Sequence, residues 1–256
     1  MKSNDAIRAA VRDGMPQLVE DLRALVEIPS IAFPGFDRAP VLEAAEKTAA
    51  LLRGAGCDVR LLELPDGPPA VFGEIPAPPG APTVLLYAHY DIQPIGEPDA
   101  WRSEPYELTE RDGRLYGRGA ADNKAGICMH LAAIRAFDGK PPIGVKVLIE
   151  GEEETGKSDL EEYVVAHPDL FKANMVVVAD MGNWRAGEPT LTTSLRGVTD
   201  CEIEVRTLAA PVHSGQYGGP VPDALMALMR ALVSLTDEYG NVTIEGLTTI
   251  PWSGYE

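Results

Sequence analysis

An acidic segment from Glu150 to Glu154 carries the strongest chemical signal in this sequence. It directly follows residues 145–149, an apolar run that is typical of a short buried strand. Carboxylates crowded at the end of a strand repel one another unless a cation or a proton neutralises them. The segment therefore indicates a site that binds a cation or a proton.

Two other apolar runs end in residues of the same kind. Residues 84–88 run into His89 and Asp91, and residues 175–179 run into Asp180. In open α/β sheets, functional sites collect beyond the carboxyl ends of the strands. Three strand ends that carry His, Asp and Glu together predict a metal site.

Each candidate residue also has an ordinary structural explanation. A histidine beside an aspartate, such as His89 with Asp91, is often a surface hydrogen bond, and a run of glutamates is often an exposed turn. Asp122, at the end of a glycine-containing loop, suits a helix N-cap. Asp180 could cap the segment after its strand, and His213 could be an ordinary loop histidine. We do not expect all of these explanations to hold at once.

The elements that must position these residues alternate between strands and helices. This alternation continues to about Asp180 and indicates an α/β domain. The sequence predicts strands at 57–64 and 70–75, a hairpin turn at Asp112 and Gly113, and helices around 18–26, 42–52 and 124–137.

The pattern changes after this domain, where a strand, a loop and a helix are predicted to open a second domain. Residues 199–206 alternate polar and apolar side chains, as a strand with one solvent-exposed face does. After a glycine-rich loop, Pro222 and Asp223 open a helix that is apolar on one side.

Composition excludes several classes of function. The chain has 256 residues and is 45% hydrophobic, which is enough for a sizeable core. Its net charge of −17 argues against nucleic acid and anionic membranes as partners. Cys57, Cys128 and Cys201 lack CxxC spacing, which favours free thiols in a reducing compartment. No apolar stretch could span a bilayer and the N-terminus has no apolar signal region, so we expect a cytoplasmic protein.

Several short motifs occur in a recognisable order. They are residues 88–91, 117–119 with 122–124, 150–156, Asp180 and 213–215. This ordered set resembles the M20 metallopeptidase family, and Tyr90 with residues 194–197 and 213–219 resembles its cytosolic nonspecific dipeptidase and carnosinase branch. The resemblance covers nearly the whole chain. It implies a zinc-peptidase-like catalytic domain over residues 1–195, with a mixed sheet flanked by helices. The start of an α+β lid and dimerisation domain would follow over residues 196–256.

The resemblance implies a site for two divalent metal ions. His89 and Asp180 would bind one ion, Glu154 the other, and Asp122 would bridge the two. The peptide bond between Asp122 and Asn123 would be cis. Oxygen and imidazole ligands suit zinc or manganese, and the ligand set alone does not choose between them. We place zinc first, with manganese or cobalt as alternatives.

The resemblance also implies roles in proton transfer and substrate binding. Glu153 would be the general base that takes a proton from the attacking water, and Asp91 would orient His89. His213, in the lid domain, would stabilise the oxyanion of the substrate, commonly from the partner subunit of a homodimer.

The family's remaining metal ligand is a histidine near the C-terminus of its members, and no residue before Glu256 matches it. We therefore expect this sequence to be the front portion of a longer enzyme. The implied activity is the hydrolysis of dipeptides. The alternatives are hydrolysis of N-acyl amino acids by the same site, and a catalytically incomplete chain that serves as a metal-binding or dimerisation module.

Overall fold

The structure is a computed structural model that describes residues 2–157, 159–195, 197–198 and 200–247. The chain divides into two compact units, Met1–Leu191 and Thr192–Glu256. The candidate residues from His89 to Asp180 belong to the first unit, and His213 belongs to the second. Among the described residues, no helix has the length and apolar character needed to cross a membrane.

A five-stranded mixed sheet lies at the centre of the first unit. The strands of this unit are β1 (Asp58–Leu62), β2 (Ala70–Ile75), β3 (Thr83–His89), β4 (Thr109–Arg111), β5 (Arg114–Tyr116), β6 (Gly144–Glu150) and β7 (Met175–Val178). The central sheet has the order β1–β2–β6–β3–β7. β2 pairs antiparallel with β1 and β6, whereas β3 lies parallel to β6 and β7. The expected α/β class with a mixed sheet is confirmed.

Helices cover both faces of this sheet. They are α1 (Asn4–Val26), α2 (Ala39–Gly54), α3 (Lys124–Arg135), α4 (Asp159–Ala166) and α5 (Pro168–Phe171). Successive strand residues point to opposite faces, so Val147 and Ile149 pack in the core with α1, α2 and α3, while Leu148 packs with α4 and α5. On the α5 side, the rings of Phe72 and Phe171 meet edge to face, with their centroids 5.8 Å apart.

The local sequence explains where helix α3 begins and where the hairpin of β4 and β5 turns. Helix α3 starts directly after the candidate ligand Asp122 and its neighbour Asn123, as predicted. In the hairpin of β4 and β5, Asp112 and Gly113 have φ angles of 53° and 71°. Two positive φ angles suit the tight turn that joins two adjacent antiparallel strands, so the predicted hairpin turn is confirmed.

Strands β6 and β7 differ sharply in burial. Every residue of β6 is buried. The four residues of β7, which is an edge strand, are exposed by 63%, 58%, 39% and 54% from Met175 to Val178. Apolar side chains therefore line an accessible edge of the sheet.

The second unit contains α6 (Ser214–Tyr217) and α7 (Ala224–Val233). Asp223 caps α7 by accepting a hydrogen bond from the backbone N–H of Met226 at 2.9 Å, so the helix predicted after Pro222 is confirmed.

The strand predicted at residues 199–206 is wrong for residues 200–206, whose backbone is irregular. An alternating sequence forms a strand only where a neighbouring strand shares its hydrogen bonds. Within the described part of this unit, the one β-type pairing is an isolated bridge between Thr236 and Val242. Thr199, and Arg196 of the motif at 194–197, lie outside the described residues.

Candidate metal centre

The carboxyl ends of β6, β3 and β7 meet at one edge of the sheet. In the parallel register, His89 lies opposite Glu150 and Tyr87 lies opposite Val178. The backbone N–H of Ala179 donates to the carbonyl oxygen of Tyr87 at 3.1 Å, so the chain that leaves β7 stays beside β3. The segments that follow the three strands therefore emerge side by side.

His89 is fully buried and lies among the candidate carboxylates. Its Nε2 atom is 3.0 Å from Oδ1 of Asp122, and 3.7 Å from both Oε2 of Glu153 and Oδ1 of Asp180. Its other ring nitrogen, Nδ1, faces Asp91 at 3.3 Å from the carboxylate and 3.1 Å from the main-chain oxygen. One imidazole thus connects residues from four segments of the chain.

Two groups of donor atoms in this cluster could hold a metal ion. The first is His89, Asp122 and Glu154, and the second is His89, Glu153 and Asp180; within each group the donor atoms lie within 4.8 Å of one another. In the described ranges, His89 is the one basic side chain within ion-pair distance of Asp122, Glu153 and Asp180. Carboxylates gathered without a lysine or arginine fit divalent cations such as zinc or manganese.

Asp91 contacts more than His89. This residue is fully buried, and its two carboxylate oxygens accept hydrogen bonds from the backbone N–H groups of Glu153 at 3.2 Å and Glu154 at 3.1 Å. A single carboxylate therefore fixes both the imidazole and the turn that carries the two glutamates. The motif alone indicated only the contact with the imidazole.

The surrounding charges change the acidity of the site residues. Burial lowers the pKa of His89, but the hydrogen bond and charge of Asp91, with the charges of Asp180 and Glu153, outweigh burial and raise this pKa to about 9. Burial raises the pKa of Glu153; His89 opposes this increase, and Asp180, Glu154 and Asp91 add to it. A carboxyl group with a raised pKa accepts a proton more readily near neutral pH.

Asp122 lies beside the start of α3 without capping it. The N-cap position belongs to Asn123, whose side chain makes no capping hydrogen bond. The explanation of Asp122 as an N-cap is therefore wrong, because its carboxylate points to His89 instead. The peptide bond between Asp122 and Asn123 is cis, in agreement with the resemblance.

Two side-chain amides to which the sequence analysis assigned no contact with the ligands lie against the candidate ligands. Nε2 of Gln93 donates to Oε2 of Glu154 at 2.8 Å, and Nδ2 of Asn123 donates to Oδ1 of Asp180. The sequence offers one signal for Gln93: it lies an even number of residues after His89. In an extended segment, residues separated by an even number of positions point to the same face, so Gln93 would point to the same face as His89. The signal for Asn123 is its place in the motif 122–124, next to the candidate ligand Asp122.

His213 lies in the second unit and is exposed. It is the N-cap of α6, where its Nδ1 atom accepts a hydrogen bond from the backbone N–H of Gly215 at 3.1 Å. Its expected contact with the substrate stays a prediction.

A mixed α/β sheet that gathers an imidazole and several carboxylates at its strand ends is suited to metal-dependent hydrolysis. The model of peptidase family M20/M25/M40 matches residues 85–250, and the chain belongs to this family. The family suggested by the ordered motifs is thereby confirmed.

Comparisons with individual proteins agree with this family. The chain is 46% identical over 217 residues to a cysteinylglycine-S-conjugate dipeptidase of Corynebacterium striatum, covering 83% of this chain and 48% of that protein. It is 36% identical over 205 residues to a Beta-Ala-His dipeptidase of Homo sapiens, with coverages of 76% and 40%. The M20 family metallo-carboxypeptidase Sso-CP2 from Sulfolobus solfataricus superimposes with a TM-score of 0.74 at 29% identity, over 90% of this chain and 52% of that one. The chain spans about half the length of the curated relatives it matches.

Proposed function

We propose that this chain belongs to a metal-dependent dipeptidase and carries most of its catalytic side chains. The observation that carries the proposal is the convergence on His89 of carboxylates that follow separate strands, in a chain of a peptidase family. The two curated relatives described above are named as dipeptidases, which supports dipeptides as the substrate class.

The proposed site holds two divalent ions. His89 and Asp180 would hold one ion, Glu154 the other, and Asp122 would bridge them. Zinc, manganese and cobalt all accept such nitrogen and oxygen donors. When bound, these ions would supply Lewis-acid polarisation of the scissile carbonyl.

Glu153 is the proposed general base. Its carboxylate would take a proton from the attacking water and pass it to the leaving amine. Two properties support this role: the side chain is 41% exposed, so that substrate and water can reach it, and its pKa is raised. Asp91 would act on the reaction through two other groups, because it holds the imidazole of His89 and the backbone of Glu153 in place.

Three further parts of the proposal concern the role of His213, a homodimer interface in the second unit and the cellular location of the protein. We propose that His213 stabilises the oxyanion and that the unit forms a homodimer interface. The apolar side chains exposed on α7, such as Leu225 and Val233, support an interface there. A cytoplasmic location is proposed on the free cysteines, two of which are buried.

A substrate panel tests the proposed activity. The purified chain, loaded with Mn²⁺ or Zn²⁺, would be offered dipeptides, including cysteinylglycine and β-alanyl-histidine, and N-acetyl amino acids. We expect dipeptide hydrolysis that disappears after chelation of the metal. Faster turnover of N-acetyl amino acids would favour the alternative hydrolase. Metal binding without turnover of either class would instead favour a catalytically incomplete chain.

A further inference from the structure

A side-chain amide contacts one carboxylate of each candidate metal group. In the group of His89, Asp122 and Glu154, Gln93 contacts Glu154. In the group of His89, Glu153 and Asp180, Asn123 contacts Asp180. The two amides come from different segments of the chain, one after β3 and the other before α3.

Gln93 holds Glu154 at two points. Its Nε2 atom donates to Oε2 of the Glu154 side chain at 2.8 Å and to the main-chain oxygen of the same residue at 3.2 Å. Arg118 fixes the next residue, because its Nη2 atom donates to the carbonyl oxygen of Pro94 at 2.9 Å. Because Gln93 bonds both the carboxylate and the main-chain oxygen of Glu154, the Glu154 carboxylate should favour one orientation.

Asn123 holds Asp180 from a fully buried position. Its Nδ2 atom donates to Oδ1 of Asp180 and, at 2.7 Å, to the carbonyl oxygen of Ala179. Its Oδ1 atom is buried and has no hydrogen-bond partner among the described residues. The bonds to the segment after β7 are therefore made by the donor end of this amide.

The glycine at position 126 makes room for this amide. A Cβ atom there would lie 2.0 Å from Oδ1 of Asn123 and 2.6 Å from the carbonyl oxygen of Ala179. Because any other residue would displace the amide or the segment before Asp180, the backbone of α3 is adapted to the contact between Asn123 and that segment.

A neutral donor has a specific advantage beside a metal ligand. An amide restrains a carboxylate without cancelling its charge, whereas a lysine or arginine would form an ion pair that competes with a divalent cation. The amino group of Lys124, next to Asn123, is directed elsewhere: its Nζ atom donates to the carbonyl oxygens of Leu25 and Ile28, both at 2.7 Å. The two amides thus restrain Glu154 and Asp180 without placing a positive charge beside them.

We propose that Gln93 and Asn123 are paired positioning residues, each of which orients the carboxylate of one metal group. The inference rests on the proposed function, because it assumes that the site binds two metal ions, one held by Asp180 and the other by Glu154. Each amide acts on a different carboxylate, so removal of one amide should weaken binding at one metal position and spare the other.

A Mn²⁺ titration of the purified chain, followed by calorimetry and by the electron paramagnetic resonance of free Mn²⁺, tests this proposal. We expect the wild-type chain to bind Mn²⁺ in two steps. Gln93→Leu should weaken one step by about 10–100-fold, and Asn123→Leu should weaken the other by a similar factor. The double variant should weaken both steps.

A matched control separates this effect from the general loss of an amide. Gln17→Leu on α1 also removes an amide–carboxylate hydrogen bond, from Nε2 of Gln17 to Oδ1 of Asp21 at 2.9 Å, but far from the candidate ligands in sequence. It should leave both steps unchanged. Gln93→Ala and Asn123→Ala also remove the amide without adding a charge, and they serve where the leucine variants do not fold.

The possible results distinguish the two proposals. Two wild-type steps that persist unchanged in folded Gln93 and Asn123 variants would overturn the positioning role alone. Equal weakening of both steps by either single variant would also overturn it, because the effect would then be general. A wild-type chain that binds no Mn²⁺ would overturn the metal site and the positioning role together.

Discussion

The candidate site has a buried part and an open part, which differ in how they are held. We call His89 and Asp91 the floor of the site, and Asp122, Glu153 and Asp180 its rim. The floor side chains are fully buried, whereas the rim side chains are exposed by 68%, 41% and 23% respectively. The floor is fixed by contacts within the protein, and the rim is accessible to ions, water and substrate. The difference indicates that the protein arranges the imidazole in advance and leaves the carboxylates available for chemistry.

The largest effect that we expect comes from the rim residue proposed as the base. Glu153→Gln keeps the size of the side chain but removes its ability to accept a proton, so turnover should fall by about 10³-fold. Metal affinity should change little. Steady-state kinetics on a dipeptide, with a Mn²⁺ titration of the same sample, would measure both.

Glu152→Gln is the matched control for that change. Glu152 lies in the same acidic run, but its Oε1 atom accepts a hydrogen bond from the backbone N–H of Asp159 at 2.8 Å, which a glutamine can also accept. The Glu152→Gln variant should turn over the dipeptide at the same rate as the unsubstituted chain. If the Glu153→Gln variant instead binds Mn²⁺ much more weakly, Glu153 is a metal ligand, and its proposed role as general base is wrong.

The next largest effect should come from the floor. Asp91→Leu removes the acceptor for two backbone N–H groups and the partner of His89, so it should lower metal affinity by about 10–100-fold and the free energy of unfolding by about 1–3 kcal/mol. Asp91→Asn, which keeps one acceptor oxygen, should show smaller changes in both. Urea unfolding and metal titration would measure them. A leucine variant of normal stability would mean that the floor is not what holds the turn of Glu153 and Glu154.

The smallest effect should come from the metal itself. Because the floor is held by the protein, we expect the chain to fold without metal. Free Mn²⁺ at ten times its dissociation constant should then add about 1.4 kcal/mol to the free energy of unfolding for each ion that binds. Thermal unfolding with and without a chelator would measure this gain. A chain that is unfolded in the chelator would contradict the distinction, because the floor would then depend on the metal and not on contacts within the protein.

Much of this arrangement could be predicted from short-range patterns in the sequence. The start of α3 and the turn at Asp112 and Gly113 depend on a few neighbouring residues, and both were predicted. The gathering of His89 and Asp180 followed from a general rule about strand ends. Such features need only local propensities and the class of the sheet.

Other features depend on contacts between distant segments. The alternation at 199–206 predicted a strand, but pairing depends on a neighbour that no local pattern can specify. The contact of Gln93 with Glu154 joins residues 61 positions apart, and that of Asn123 with Asp180 joins residues 57 apart. Amides are common in loops, and only the folded chain distinguishes these two from the rest.

The exposed edge strand β7 has a practical consequence for work with this chain. Its four apolar residues present side chains and an unshared strand edge to solvent, which is a template for the addition of a strand from another polypeptide. Concentrated samples should therefore aggregate through this edge before they lose their fold. A lysine in place of Val176, which is 58% exposed, would place a charge on the edge and should extend the usable concentration range.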